Sequence, residues 1–301
     1  MNNKKLIDNR QWNLRSRNLT EQSIEPALET LTIIGNRVKT DKATQFKSAH
    51  GYTLVYEAMF APLRDKPLNL LEFGLCIGGP ETGGPASREV AAAPSLELWQ
   101  AYFPEAQIYG FDISDFAGFQ NDRFSFRQGD CGNTKDLAGI GDWQVKFDII
   151  IDDASHASYH QLLTFQNCFD RLKPGGVYII EDTHWQPTGI EGSLPPCPKV
   201  AEVFSELHRN AHWPALPSLD EERLAEHQKT IAGLELFTRS HLEKIKDRYV
   251  NERRAWHRSD ALGGRLNRAR QVVAAQSLRA GLKYFLLDPV KLIIIRKAGD
   301  V

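Results

Sequence analysis

Two short segments hold most of the reactive side chains in this chain. Phe147-Asp148-Ile149-Ile150-Ile151 is an apolar run that stops in Asp152-Asp153-Ala154-Ser155-His156, two carboxylates followed by an imidazole. Gly176-Val177-Tyr178-Ile179-Ile180 stops in the same way, in Glu181-Asp182-Thr183-His184. If both runs are strands of one parallel sheet, their acidic ends share an edge and can hold one divalent cation, because hard cations take oxygen ligands. An imidazole beside them is suited to proton transfer.

A third segment, Leu70-Leu71-Glu72-Phe73-Gly74-Leu75-Cys76-Ile77-Gly78-Gly79, puts glycines after an apolar strand, where they let the backbone approach a nucleotide-like ligand. The dinucleotide G-x-G-x-x-G spacing is absent, as is the Lys-Ser or Lys-Thr of a phosphate-binding loop, which argues against hydride transfer and kinase chemistry. Tyr109-Gly110-Phe111-Asp112 ends the next apolar run, and an acid there can accept both hydroxyls of a ribose. Gln128-Gly129-Asp130 ends the one after it, well placed for an adenine amino group.

Positioning these residues requires an alternation of strands and helices. Strands are expected near 69–73, 107–113, 123–127, 147–151 and 176–181, and helices near 95–103, 134–138 and 157–172. That order implies a doubly wound, mostly parallel sheet. Near-continuous apolar strands such as Phe147–Ile151 are what a sheet covered on both faces demands. Val200–His208 reads as a further helix, Gly233–Phe237 as a sixth strand and Val290–Arg296 as a closing seventh. Residues 1–66 read as a helical cover, with a helix start at Ser23-Ile24-Glu25-Pro26 and a helix over Tyr52–Phe60. The remaining 67–301 form one α/β domain carrying a helical insertion at about 239–283.

The ordered set of strand ends resembles the class I methyltransferases that use S-adenosylmethionine. More closely, Thr40-Asp41-Lys42, His50-Gly51-Tyr52, Ser95-Leu96-Glu97-Leu98-Trp99, Tyr102-Phe103-Pro104, Asp152-Asp153-Ala154-Ser155-His156 and Lys173-Pro174-Gly175-Gly176 together resemble the metal-dependent O-methyltransferases that tailor macrolide sugars. The likeness spans roughly residues 38–185. It departs from the common pattern where Cys76 replaces a glycine and Ala154 replaces the glycine of D-D-G-S-H, and Pro80–Pro94 resembles an insertion.

The resemblance implies a Rossmann-like seven-stranded fold, S-adenosylmethionine and Mg2+ as cofactors, and a hydroxyl of a small, sugar-containing molecule as acceptor. It implies a cofactor-binding set of Glu72, Gly74, Gly78, Asp112, Asp130 and Asp152, with Gly74 and Gly78 beside the methionine portion, Asp112 on the ribose and Asp130 near the adenine. It implies Asp153, Glu181 and Asp182 as metal ligands and His156 as general base.

Bulk properties agree with such an enzyme. The chain has 301 residues with 42% hydrophobic content and a net charge of −1, enough for a core and without a global field for nucleic acid or membrane. Arg239–Lys283 departs from that balance, with 12 Lys or Arg against 4 Asp or Glu; charge runs on helices usually face water. Cys76, Cys131, Cys168 and Cys197 form no C-x-x-C pair, as expected of reduced thiols. No apolar run reaches the roughly 20 residues of a membrane span, and no signal core follows Met1. A cytoplasmic enzyme able to form a homo-oligomer is expected.

Simpler roles stand beside these. Asp153 or Ser155 can cap the following helix, and His156 can be a bystander in its first turn. Trp99, Tyr102 and Phe103 are expected in the core. Asp41, Lys42 and His50 suit either a lid or a solvated helix start and stay outside the catalytic set. A cephalosporin-hydroxylase-like enzyme and a non-catalytic nucleoside-binding protein are the alternative readings.

Overall fold

The computed structural model describes residues 30–46, 49–256 and 288–299. Seven strands form one sheet: β1 Asn69–Phe73, β2 Gln107–Asp112, β3 Phe124–Gln128, β4 Phe147–Asp152, β5 Leu172–Ile180, β6 Ile231–Thr238 and β7 Val290–Lys297. Their order is β3-β2-β1-β4-β5-β7-β6. The first five run parallel, and β7 lies antiparallel to both β5 and β6. β5 begins earlier than expected because Leu172 pairs with Phe147 before a register shift admits the Pro174-Gly175-Gly176 segment.

Both faces of the sheet are covered, which is why the central strands are apolar without interruption. On one face, α1 (Leu31–Val38), α2 (Tyr52–Phe60) and α3 (Pro94–Tyr102) bury Leu31, Tyr52, Phe60 and Trp99 against Leu70, Ile149, Ile151 and Ile179. On the other, α4 (Thr134–Ala138), α5 (Ser158–Cys168), α6 (Val200–Asn210) and α7 (Glu221–Lys229) bury Leu137, Phe165, Phe204 and Leu224 against Leu71, Ile150, Tyr178 and Ile293. Trp99, Tyr102 and Phe103 are fully buried core residues, as expected.

α7 was not anticipated. Its polar composition hides it, but Asp220 caps its first turn by accepting from the Arg223 backbone N–H at 2.9 Å. The basic segment starts as helix α8, Arg239–Trp256; its continuation to 283, and the helix start at Ser23, lie outside the described residues. Among the described residues no helix is long and apolar enough to cross a membrane. The four cysteines are free thiols.

Candidate active site

Each strand end is fixed by its neighbour. The Gly74 N–H donates to Phe111 O, Gly129 N–H to Asp112 O, Asp153 N–H to Phe73 O and Glu181 N–H to Asp152 O, all at 2.9 Å. The ladder therefore continues one residue past each strand and locks the acidic positions to one edge. Above that edge opens a cavity of about 930 Å³, walled by Gly74, Asp112, Asp130, Asp153, His156 and Asp182, and by Thr40, Asp41, Lys42 and His50 from the N-terminal segment.

At one end of the cavity lie the nucleoside-type positions. The Asp112 carboxylate accepts from the Leu75 N–H at 2.8 Å and the Ser114 N–H at 2.7 Å, which holds the glycine loop against it. Asp130 accepts from the Gly132 N–H at 2.7 Å. Gly74 has φ +78, and a Cβ there would sit 2.2 Å from Asp153 O, so only glycine fits where the two strand ends meet. Gly78 also has positive φ but does not reach the cavity. Its N–H donates to Glu81 Oε1 at 2.8 Å and Arg88 packs on it, while Gly79 takes the wall position.

At the other end lie the acids of β4 and β5. Asp153, His156 and Asp182 bring one ligating atom each to within 4.8 Å of one another. His156 and Asp182 are non-glycine residues in the left-handed region, at φ 58 and 50, a strained state that recurs at functional sites. Asp153 does not cap α5, whose N-cap Ala157 offers no side-chain bond. Ser155 is instead bonded to His160 Nδ1 at 2.8 Å. His156 is buried with Nδ1 unpartnered among the described residues, and its ring meets Trp185 edge-on at 5.3 Å. Burial pushes its pKa down, so the imidazole is neutral and free to accept a proton.

Asp182 is the most firmly held acid. Tyr52 donates to Oδ1 at 2.5 Å, and His50 Nε2 stands 3.3 Å from Oδ2. Lys291 donates to His50 Nδ1 at 2.7 Å, which leaves Nε2 as the protonated nitrogen that faces the carboxylate. Burial opposes ionisation of Asp182, but His50, the Tyr52 hydroxyl and Lys291 outweigh it and hold the carboxyl below its usual range.

Three expected acids do not line the cavity. Side chains alternate across a strand, so Glu72 points to the α3 face, fully buried, where Trp99 donates to it at 3.0 Å. It does not reach the cavity. Asp152 points to the opposite face, buried, with Oδ2 unpartnered among the described residues. Burial raises its pKa to about 8, so it is a neutral carboxyl behind the cavity wall. Glu181 does face the acid cluster, but its carboxylate is already engaged. Tyr56 donates to Oε1 at 2.7 Å and Lys42 to Oε2 at 3.0 Å. The donors that lie close together are thus Asp153, His156 and Asp182, with Glu181 held beside them by Lys42.

Lys42 and His50, set aside in the sequence, are therefore part of the site. The signal was present in Thr40-Asp41-Lys42 and His50-Gly51-Tyr52, but it lies more than a hundred residues from the acids it serves.

Comparison with known proteins finds O-methyltransferases among those this chain resembles. A 8-demethyl-8-(2-methoxy-alpha-L-rhamnosyl)-tetracenomycin-C 3'-O-methyltransferase from Streptomyces olivaceus is 38% identical over 136 residues, 44% of this chain and 32% of that protein. Mycinamicin VI 2''-O-methyltransferase from Micromonospora griseorubida is 34% identical over 173 residues, 56% of this chain and 40% of that protein. The solved structure of the MycE methyltransferase from the mycinamycin biosynthetic pathway, in complex with Mg and SAH, superposes with a TM-score of 0.54 at 26% identity, over 69% of this chain and 51% of its own. The chain has a methyltransferase-like fold and is similar in sequence to sugar O-methyltransferases. No family model matches it, and it spans a third to a half of the length of the curated relatives it matches.

Proposed function

We propose that this chain is a methyltransferase that transfers a methyl group from S-adenosylmethionine to a hydroxyl of a sugar-containing small molecule, with Mg2+ as cofactor. The observation that carries the reading is the placement, on one cavity wall, of a nucleoside-type end (Gly74, Asp112, Asp130) and an acid-imidazole end (Asp153, His156, Asp182). The similarity to O-methyltransferases of sugar-bearing compounds, and the Mg and SAH bound to MycE, support the same assignment.

The residues present fit the metal. Asp153 and Asp182 offer hard oxygen donors in mutual reach, with Glu181 adjacent, a set that suits Mg2+. A metal bound there would orient the acceptor and make its hydroxyl more acidic. S-adenosylmethionine supplies a methyl on a sulfonium, an electrophile that needs no activation by the protein. The chain's own work is then to hold and to deprotonate. Asp112 and Asp130 fix the nucleoside, and His50 and Tyr52 hold Asp182 in one orientation. His156, kept neutral by burial, takes the proton of the acceptor hydroxyl. Holding the two reactants in contact supplies much of the remaining rate gain.

The rest of the wall suits an acceptor with an apolar body. Phe46, Ile77 and Trp185 are exposed by 46%, 67% and 41%, and all three stand on this cavity. Single exposed apolar residues are ordinary, but several converging on one cavity mark a binding surface. Incubation with S-adenosylmethionine, Mg2+ and a panel of deoxysugar glycosides, read by mass spectrometry, tests the reading. A product heavier by one CH2 supports it; a product heavier by one oxygen, or no product and no cofactor binding, contradicts it.

A further inference from the structure

Lys42 is a buried cation with three carboxylate neighbours. It is 1% exposed, and its ammonium contacts Asp153, lies 3.0 Å from Glu181 Oε2 and 3.4 Å from Glu72 Oε1. An ammonium has three donors and no acceptor; two of them are given to Asp153 and Glu181, and Glu72 stands within ion-pair reach. Three acids, Glu72, Glu181 and Asp182, are buried at this end of the sheet, and Asp153 is half-buried beside them. Buried carboxylates are tolerated only when they are paired or neutralised, and Lys42 provides a positive charge at the place where three of them converge.

We propose that Lys42 is a built-in competitor of the divalent cation: its ammonium holds the position between Asp153 and Glu181, so metal entry is an exchange with the lysine, and the lysine sets the metal affinity. The inference rests on the metal-dependent reading above and adds to it the residue that tunes the site. Two observations carry it. Glu181 faces the acid cluster yet is absent from the group of mutually close donors, and Lys42 and Tyr56 hold its two oxygens. Glu72 cannot serve a metal in the cavity, being fully buried and pinned by Trp99, so it remains as a fixed partner for the ammonium when Asp153 and Glu181 turn to the metal. The exchange thus leaves no buried charge without a partner. It also gives the N-terminal segment a role beyond covering the sheet: it delivers the cation that keeps the site assembled in the absence of metal.

The test is calorimetric titration of Mn2+ into cofactor-free protein, for wild type, Lys42→Met and the double variant Lys42→Met/Glu72→Gln. The double variant removes one positive and one negative group, which keeps the charge balance of the cluster and protects the fold where the single variant is destabilised. Both variants are expected to bind Mn2+ at least about tenfold more tightly than wild type, the low end of what the partners of metal ligands contribute. Adding Glu181→Gln to the double variant is expected to remove that gain. Lys42→Met should also melt at a lower temperature than wild type in EDTA and recover more on adding Mn2+. Wild type that binds Mn2+ with variants that bind it equally or more weakly overturns this inference alone. No Mn2+ binding by any of the proteins overturns the metal site and this inference together.

Discussion

His156 and Asp182 follow different strands yet share an uncommon backbone state and a common cavity wall. Both hold left-handed φ values, 58 and 50, and with Asp153 they bring their ligating atoms within 4.8 Å. Such a conformation costs a non-glycine residue about 1–2 kcal/mol. Here it turns each side chain out of the line of its strand and toward the same space. The continued ladder at Asp153 and Glu181 is what over-determines the turn.

His156 is expected to act in turnover and not in cofactor binding. His156→Ala should lose at least about a hundredfold in turnover, the low end for a general base, with unchanged affinity for S-adenosylmethionine. His156→Asn should behave in the same way, since Asn tolerates the left-handed backbone better than Ala and so separates chemistry from strain. Turnover within a few fold of wild type in both variants would remove His156 from the mechanism.

Gly74 is expected to be irreplaceable even by alanine. A Cβ would stand 2.2 Å from Asp153 O, at φ +78. Gly74→Ala should therefore push the β1 and β4 ends apart, costing about 1–3 kcal/mol of stability for backbone strain alone and weakening cofactor and metal binding together. Urea unfolding and two titrations check this; a variant with wild-type stability and binding would contradict it.

Asp112 is expected to resist its nearest neutral replacement. Both of its oxygens accept backbone N–H groups, from Leu75 and Ser114. Asp112→Asn places an amide donor against one of those donors, so the glycine loop should shift and the affinity for S-adenosylmethionine should fall by about tenfold or more, in line with about 1–3 kcal/mol for an unpaired buried polar group. Equal dissociation constants for the two proteins would show that the loop does not depend on this carboxylate.

Stability is expected to fall on the acid side through His227, far from the site. His227 is buried, donates from Nε2 to Gln166 O at 2.8 Å, and has a pKa lowered by burial despite that bond. Its unfolded-state pKa is about 6.5, so the unfolded chain takes up the proton first. The contribution of neutral His227 is full above that value and is lost as pH falls from about 6.5 towards the lower folded value. His227→Gln should be less stable than wild type at pH 8 and should show a smaller loss between pH 7 and pH 5, followed by urea denaturation. An equal pH dependence in both proteins would rule His227 out.

Much of this was legible along the chain, for local reasons. Phe147–Ile151 and Val177–Ile180 are apolar because both faces of the sheet are covered, so the acids that follow them had to sit at strand ends. Strand alternation also carries more than a location. It sends Asp153 and Glu181 to the face of Glu72, and Asp152 to the other, which explains why one of two adjacent aspartates joins the site and its neighbour does not. What could not be read were contacts made across long stretches of sequence. Lys42 meets Asp153 and Glu181 across 111 and 139 residues, and Tyr52 meets Asp182 across 130. In the sequence, Lys42 is only a charge beside Asp41, equally suited to a solvated turn. Glu72 was misplaced for a related reason: an acid two residues before a glycine loop resembles a ligand contact until Trp99 is found beside it.

The most direct measurement is calorimetric titration of S-adenosylmethionine into the protein in EDTA and in Mg2+, paired with Mg2+ uptake by wild type and by Asp153→Asn. Cofactor binding that persists in EDTA, with Mg2+ uptake lost in Asp153→Asn, is the expected result, because the nucleoside and acid ends of the cavity are built from separate residues. Absence of cofactor binding under every condition would contradict the methyltransferase assignment, and unchanged Mg2+ uptake in Asp153→Asn would contradict the placement of the metal.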